Sequence, residues 1–495
     1  MTLLRGKAGA VTVSLIGFLF FVEFVSGILQ GFYVPLIPDL VKYLGIKDAD
    51  FNLFEGAQLL LSALVVPILA KLGDMYGHKK ILLVATVLTA GATWWLAFAG
   101  DFTSFLVAWT LQAFYVVWLP LEIALIFDKG RRSGRAASST RKAAGLLIVG
   151  LEAGAIAGAL GSSAIFDAFG GAADLQNSVV PTMMVPAIAV SLVFFVILFG
   201  VPESESLPDR RLDWVGFSIL TIGLLLVTSG LTFLKLNDEA WWPWAIIALG
   251  LATFWPFVRF ELKQKDPAID IRVFAQPNMW PVQLTAFLVG ISLLGAQAPL
   301  ATYAGTDKAE LGYGLGLASG TISILIGLYL VSMIIGALLF PVVSRLLTPR
   351  STLIAAAFLV AIGYLLFIPL HLEAWEVFMN MFIAGLGSGA LVGAMPAAAA
   401  AAAPRGQTGI ASALTNTTKT IGGSFASSVF AIVLTIGAVQ LAGSTAGSLF
   451  GYYLVWTICG VGALVAAILL FFVPKLAFAD AVELEPEVAA AAAQG

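Results

Sequence analysis

Long apolar stretches follow one another along almost the whole chain, and short polar segments separate them. An α-helix rises about 1.5 Å per residue, so about 20 apolar residues in a row are enough to cross a bilayer. On this basis hydropathy predicts fourteen spanning helices, numbered here as spans 1 to 14. They cover residues 10–40, 51–72, 81–99, 103–127, 143–166, 180–201, 213–234, 242–260, 279–304, 315–343, 351–371, 375–400, 407–441 and 450–473.

The composition also indicates an all-α membrane protein. Of the 495 residues, 60% are hydrophobic and 11% are charged, whereas about a quarter of a soluble domain is charged. The single cysteine, Cys459, and the two histidines, His78 and His371, form no pattern typical of a metal site or a disulfide framework. No phosphate-binding loop is evident. We therefore expect no metal, no nucleotide cofactor and no nucleic-acid partner.

Basic residues predict the orientation in the membrane. With the N-terminus placed in the cytoplasm, 21 of the 26 lysines and arginines fall in cytoplasmic segments, four in external segments, and Lys419 within span 13. Lysine and arginine collect on the cytoplasmic side of membrane proteins. Both termini are therefore predicted to be cytoplasmic, in a multi-pass protein of the plasma membrane, which we expect to be a bacterial inner membrane.

A weak internal repeat divides the chain. Residues 340–350 stand between spans 10 and 11 as residues 70–80 stand between spans 2 and 3. This predicts two six-helix bundles, spans 1–6 and 9–14, in a pseudo-twofold arrangement around an inserted pair, spans 7 and 8. Parallel repeats of this kind place a substrate cavity between the halves, near the bilayer midplane. The predicted units are 1–205, 206–275, 276–475 and a solvated cytoplasmic tail at 476–495.

The turn between spans 2 and 3 resembles a loop of the major facilitator superfamily, where the pattern is G-x-L-x-D-R-x-G-R-K. Four residues match it, while Ala70, Met75 and His78 replace its first glycine and its two arginines. In that family the loop locks the two halves of the transporter in one state and releases them in another. The resemblance implies a gating loop, with Arg135 as the cationic partner of Asp74. The residues of this loop are Leu72, Gly73, Asp74, Gly77, Lys79 and Lys80.

Further segments resemble the fourteen-helix drug:proton antiporter branch of that family. They are the start of span 7 at 212–216, the loop before span 9 at 261–274, and span 13 at 406–423. Two positions depart from the branch, because Trp109 replaces an arginine of span 4 and Ala155 replaces a proline of span 5. The family links that arginine to proton coupling, so its absence leaves open whether the same coupling mechanism operates here.

Ionisable residues in the middle of spans are costly and typically have a function or a partner. Glu23 in span 1, Glu122 in span 4 and Glu152 in span 5 are therefore candidates for proton coupling, with a purely structural role as the alternative. Glu23 is the first candidate for the proton carrier, because it is deep and lies on a polar face. Glu122 suits ligand contact or the inward exit of the proton, and Glu152 ranks third, because the sequence does not define its direction relative to the cavity. Glu55, near the outer end of span 2, is expected to be solvated. For Lys419 a structural role is favoured over contact with a substrate, because such a side chain can snorkel or pair with the backbone.

Helical spacing groups several polar and aromatic residues on common faces of spans 1 and 4. By analogy with the family, both spans line the cavity. An acid beside aromatic rings suits a lipophilic cation, although ordinary packing also accounts for the aromatics. The candidate substrate-binding residues are Glu23, Gln30, Gln112, Tyr115, Trp118 and Glu122.

Glycines recur at helical spacing along span 5 and predict close packing against another helix. They correspond to the antiporter motif of the family, g-x-x-x-G-P-x-x-G, apart from its proline. The predicted seam consists of Gly150, Gly154, Gly158 and Gly161.

Taken together, the sequence predicts a proton-coupled exporter of lipophilic or drug-like compounds. It would work by alternating access as a monomer, with the proton gradient as its energy source. A symporter that imports an organic solute is the alternative within transport. A non-transporting scaffold or a membrane enzyme is the alternative from another class, and the short loops and the lack of a nucleophile or metal cluster disfavour it.

Overall fold

A computed structural model describes residues 13–132, 136–204, 212–236, 240–264, 267–277, 279–402, 408–441 and 444–473. Arg135 and the predicted tail at 476–495 lie outside these residues. Helices account for most of the described chain, and the short strands Val439–Leu441 and Ser444–Ala446 form an antiparallel hairpin.

The first six spans are long helices, and spans 1, 4 and 6 include short 3-10 segments. Span 1 consists of Val13–Gly31, Val34–Leu36 and Ile37–Leu44. Span 4 consists of Phe102–Leu111, Gln112–Val117 and Trp118–Arg132. Spans 2, 3 and 5 are Asp48–Tyr76, His78–Ala97 and Ala136–Ala168, and span 6 comprises Gly171–Asp174 and Leu175–Gly200.

The remaining spans follow the predicted order. Spans 7 and 8 are Trp214–Leu236 and Trp242–Glu261, and a short helix, Ile271–Phe274, precedes span 9. Span 9 is broken into Trp280–Leu294 and Gln297–Gly305, and the short helix Lys308–Leu311 follows it. Spans 10 to 14 are Ser319–Leu346, Pro349–Leu366, Ala374–Ala402, Thr408–Val433 and Leu449–Leu470.

Thirteen helices of the described chain are long and apolar enough to cross a membrane. They correspond to predicted spans 1 to 12 and 14. The helix at span 13, Thr408–Val433, is not one of the thirteen. Its middle carries Asn416, Thr417, Thr418 and Lys419, and these polar residues lower its hydropathy. The all-α membrane fold is confirmed, and the exact number of spans stays a prediction.

Helix pairing repeats between the two halves. In the first half span 1 packs on span 5, span 2 on span 4 and span 3 on span 6. In the second half span 9 packs on span 13, span 10 on span 12 and span 11 on span 14. The contacts between the halves follow the same relation, since span 2 packs on span 13 and span 10 on span 5. This pairing supports the pseudo-twofold arrangement, while the residue limits of the predicted units remain untested.

Spans 1 and 5 approach each other through glycine. A Cβ atom at Gly27 would overlap the carbonyl oxygen of Leu151, and one at Gly154 would overlap the carbonyl oxygen of Phe24. Gly150 and Gly158 also meet span 1 closely. A Cβ atom at Gly161 would have no atom of another element within 4 Å, so this glycine takes no part in the contact.

The second half repeats this contact between spans 9 and 13. A Cβ at Gly290 would overlap the carbonyl oxygen of Lys419, and one at Gly422 would overlap that of Phe287. In both halves the two crossing points are three residues apart on each helix. The internal repeat therefore extends to the residue-by-residue packing of its helices.

The hydrogen bonds between the halves that the described residues show lie toward one end of the molecule. We call it the outer end, defined as the end where residues 45–47 join spans 1 and 2 and predicted to be extracellular. There the Ser323 hydroxyl donates to Ser163 Oγ at 2.8 Å, and the Ser424 hydroxyl donates to the Gly56 carbonyl at 2.8 Å. The Gly447 amide donates to Asp48 at 3.3 Å. The halves are thus joined at the outer end.

The inserted pair covers one boundary between the halves. Leu220 and Leu224 of span 7 and Phe257 of span 8 form a small apolar cluster with Leu60 and Leu64 of span 2. Ile421 of span 13 packs against the same cluster. Spans 7 and 8 therefore contact one helix from each half.

The glycine contact predicts the effect of a single added methyl group. Gly154→Ala should destabilise the protein by about 1–3 kcal/mol, because the new Cβ must push spans 1 and 5 apart. Gly161→Ala adds the same group to the same helix in open space and serves as the control. Thermal unfolding of the purified variants in detergent measures the difference. Equal midpoints for the two variants would contradict the packing described here.

Candidate transport cavity

A cavity with about 840 Å³ of empty space, part of it continuous with solvent, lies between the two halves. Spans 1 and 5 form its wall on one side, and spans 9 to 13 form the other. Its surface is mainly apolar and aromatic. Among the described residues that line it, the charged side chains are Glu152 from the first half and Lys419 from the second.

Glu152 and Lys419 interact electrostatically across the boundary between the halves. They form no salt bridge with each other within the described chain. Both are partly accessible, and Lys419 also borders a small adjoining recess. Lys419 therefore lies in the cavity wall. The sequence analysis had favoured a structural role for this residue over contact with a substrate.

The predicted residue Gln30 also lines the cavity, as does Ala155, which stands at the proline position of the antiporter motif. The other candidate substrate-binding residues have no surface on it. Those residues are Glu23, Gln112, Tyr115, Trp118 and Glu122, and all are buried inside the first half.

Glu23 and Glu122 form a buried acid pair between spans 1 and 4. Both side chains are fully inaccessible, and the two carboxyl groups interact directly. Within the described chain neither has a hydrogen-bond partner apart from the other. Two ionised carboxylates about 4 Å apart repel each other by about 4 kcal/mol at an effective dielectric constant of 20. At least one of the pair is therefore protonated.

Tyr115 and Gln112 are buried in the first half and do not border the cavity. Tyr115 lies near Glu23, and its ring meets that of Trp118 edge to face at 6.3 Å between centroids. The Gln112 side chain donates to the Tyr33 hydroxyl at 2.9 Å and to Thr93 Oγ1 at 3.1 Å. These residues form the polar interior of the first half.

Glu55 is not solvated, so the expectation from its position near the span end was wrong. It is buried, and its carboxyl group accepts a hydrogen bond from the backbone of Ala298. Ala298 lies at the start of the second helix of span 9, where backbone amides lack partners within the helix. Glu55 therefore links the two halves near the outer end, which hydropathy alone gave no signal to detect.

The predicted gating loop forms a compact polar cluster. His78, at the position of a family arginine, is buried, and its Nε2 lies 3.2 Å from Asp74 Oδ1. Because a carboxylate only accepts, this ring nitrogen is the donor. His78 Nδ1 lies 2.7 Å from the hydroxyl of Ser204, and the oxygen of this hydroxyl accepts a hydrogen bond from the His78 backbone amide at 2.8 Å. The loop is thereby attached to the segment that follows span 6.

Gly77 and Lys79 complete this attachment. Gly77 has φ +106°, and a Cβ there would meet the Glu203 carboxylate at 2.6 Å. The Lys79 amide donates to Glu203 Oε1 at 3.1 Å, and Lys79 Nζ donates to the Leu198 carbonyl at 2.8 Å. The proposed contact of Asp74 with Arg135 falls on a residue outside the described chain and stays a prediction.

The fold and the cavity define a multi-pass membrane transporter, and sequence comparison supports this class. The profile of the Major Facilitator Superfamily matches residues 19–427. The chain therefore belongs to the major facilitator superfamily, a family of secondary transporters rather than enzymes.

Its similarity to individual relatives is low. An uncharacterised MFS-type transporter of Bacillus subtilis, YfiU, is 27% identical over 76% of this chain and 71% of its own length. The multidrug transporter MdtP of the same species is 24% identical over 76% of this chain and 67% of its own length. A uridine/deoxyuridine transporter of Lactococcus lactis is 23% identical over 64% of each chain.

Solved structures share the fold at still lower identity. The nucleoside transporter NupG superposes with a TM-score of 0.60 at 11% identity, over 92% of this chain and 98% of its own. A peptide transporter of the POT family superposes with a TM-score of 0.63 at 16% identity, over 94% of this chain and 95% of its own.

The gating loop yields a test of its function. Asp74→Asn removes the charge that strengthens the contact with His78, and a hydrogen bond to a charged group contributes about 1.5–3 kcal/mol. We expect transport by Asp74→Asn to fall about tenfold or more, while membrane insertion and ligand binding persist. Uptake into proteoliposomes and ligand binding by the same preparation measure the two properties.

His78→Arg is the matched control, because it keeps a donor for Asp74 and is the residue that the family has at this position. Transport close to that of the unchanged protein is expected from this variant. Normal transport by Asp74→Asn would remove the loop from the mechanism.

Proposed function

We propose that this protein is a proton-coupled exporter of lipophilic, drug-like compounds that works by alternating access in the plasma membrane. The observation that carries the proposal is the position of Glu152. It is the carboxylate that lines the cavity between the halves among the described residues. The similarity to a multidrug transporter adds support. The proposal includes a monomer with cytoplasmic termini and no cofactor other than the proton gradient.

Glu152 suits coupling because a ligand and a proton can reach the same group. A carboxylate in the membrane is costly when charged, so it needs either a proton or a cationic partner. A ligand that offers a cationic group to ionised Glu152 competes with the proton. Alternating exposure of the cavity to the two sides then converts this competition into exchange.

The Glu23–Glu122 pair takes a different part in this proposal. It is sealed inside the first half, so a ligand in the cavity does not touch it. It holds at least one proton, and we propose that it is a proton store that exchanges with Glu152 as span 1 moves against span 5. Spans 1 and 5 pack directly on each other, and both carry cavity-lining residues.

A symporter that imports an organic solute is the second candidate. The missing arginine of span 4 and the similarity to a uridine/deoxyuridine transporter favour it. The direction of proton movement on ligand binding separates the two. Release of protons indicates exchange, and uptake of protons indicates symport.

Ligand-induced proton release tests the role of Glu152. The purified protein in weak buffer, mixed with a lipophilic cation such as ethidium, should release protons between about pH 6 and 8. Glu152→Gln should abolish the release and proton-driven transport but permit ligand exchange, because no proton is left to displace. Glu310→Gln, which changes an exposed acid, should behave as the unchanged protein.

In the Glu23→Gln, Glu122→Gln double variant, ligand binding should still release protons. Proton-driven transport by this variant should be lost. Full release from Glu152→Gln together with none from the double variant would contradict the proposal and place coupling in the buried pair.

A further inference from the structure

The two charged residues of the cavity have opposite signs and come from opposite halves. Glu152 and Lys419 both border the same space, attract each other across it and form no salt bridge. A direct pair would fill the gap and cancel both charges. Here the charges flank the gap, so each is available to a molecule that lies between them.

We infer that the substrates of this transporter are amphipathic zwitterions, with a cationic group for Glu152, an acidic group for Lys419 and an aromatic or apolar body. The inference rests on the proposed function in one respect, since it takes this cavity as the substrate site. The inference narrows the substrate class. The sequence analysis predicted lipophilic compounds and considered lipophilic cations among them.

Single-charge ligands fit the cavity less well. A lipophilic cation at Glu152 meets the like charge of Lys419 on the facing wall, and the low dielectric of the membrane interior strengthens that repulsion. An organic anion at Lys419 meets Glu152 in the same way while that group is ionised. A zwitterion satisfies both charges at once, and a buried charge without a partner is strongly unfavourable.

The remaining lining suits an apolar body with some polar contacts. Tyr329, Met333, Tyr364 and Met381 of the second half contribute aromatic and sulfur-containing side chains. Methionine adapts its shape to varied ligands. Gln30 of the first half and Gln297 of the second supply amide groups.

The zwitterion still exchanges with protons. Its ammonium group binds ionised Glu152, so ligand and proton remain in competition as in the proposed function. Its acidic group neutralises Lys419 at the same time. The cavity then carries no unbalanced charge while the halves move.

Matched probes test the inference. 2-Naphthylalanine is a zwitterion, its methyl ester is a cation, and its N-acetyl derivative is an anion with the same ring system. The same three forms of tryptophan and biphenylalanine extend the range of size. Binding to the purified full-length protein in nanodiscs is measured by titration calorimetry. For at least one ring system we expect the zwitterion to bind about tenfold or more tightly than either of its derivatives.

Charge-changing variants identify the groups that are responsible. Lys419→Gln should turn the preference toward the methyl ester, and Glu152→Gln should turn it toward the N-acetyl form. Lys419→Arg retains the charge and should keep the original ranking. Equal or tighter binding of the methyl ester to the unchanged protein overturns the inference. Absence of binding by every zwitterion overturns it as well.

Failure of this inference and failure of the proposed function give different results. Proton release by ethidium without binding of any zwitterion leaves the exporter proposal standing and removes the substrate class. If zwitterions bind tightly but no ligand releases protons, the inference about the substrate class stands and the proposal of proton-coupled exchange fails.

Discussion

The cost of a charge inside a membrane organises the interior of this transporter. A lone ionised side chain in the hydrocarbon region is unfavourable, so each such group needs a partner or a proton. Glu23 and Glu122 partner each other. Glu55 accepts a hydrogen bond from a backbone amide at the break in span 9. Glu152 and Lys419 face each other across the cavity, and the space between them is where we propose that a substrate binds.

The proposed movement that exposes this cavity depends on how the halves are built. Within each half the helices are held by contacts at glycine, as between spans 1 and 5 and between spans 9 and 13. Such contacts leave little freedom, so each half should move as a unit. Between the halves, the described polar contacts at the outer end include single neutral hydrogen bonds such as Ser323 to Ser163. Single neutral hydrogen bonds contribute about 1 kcal/mol each and can be exchanged during a conformational cycle.

The sequence predicted most of the fold because a helix that crosses a membrane must be apolar over about 20 residues. Spans 1 to 12 and 14 follow directly from apolar length. The polar middle of span 13 weakens the same signal, although its helix is present. The seam was also predictable, since Gly150, Gly154 and Gly158 recur at helical spacing, but spacing could not show that Gly161 faces open space.

The site was harder to predict because sequence gives the periodicity of a helix and not its rotation about its own axis. Glu23 and Glu122 were correctly recognised as acids at depth, yet the structure turns them toward each other and away from the cavity. Glu152 and Gln30 do border the cavity. Lys419 stood out as a deep basic residue, but its apposition to Glu152 depends on packing between residues far apart in the chain.

A cross-link between the halves tests alternating access most directly. Ser163→Cys and Ser323→Cys in a Cys459→Ala background place two thiols where the hydroxyl groups are 2.8 Å apart, one on each half. Ala337→Cys and Gly393→Cys provide the control, since a Cβ atom at Gly393 would lie 3.5 Å from the Cβ atom of Ala337 within one half. The account predicts that oxidation of the first pair stops transport and reduction restores it, while oxidation of the control pair leaves transport intact. Undiminished transport with the two halves fully cross-linked would contradict it.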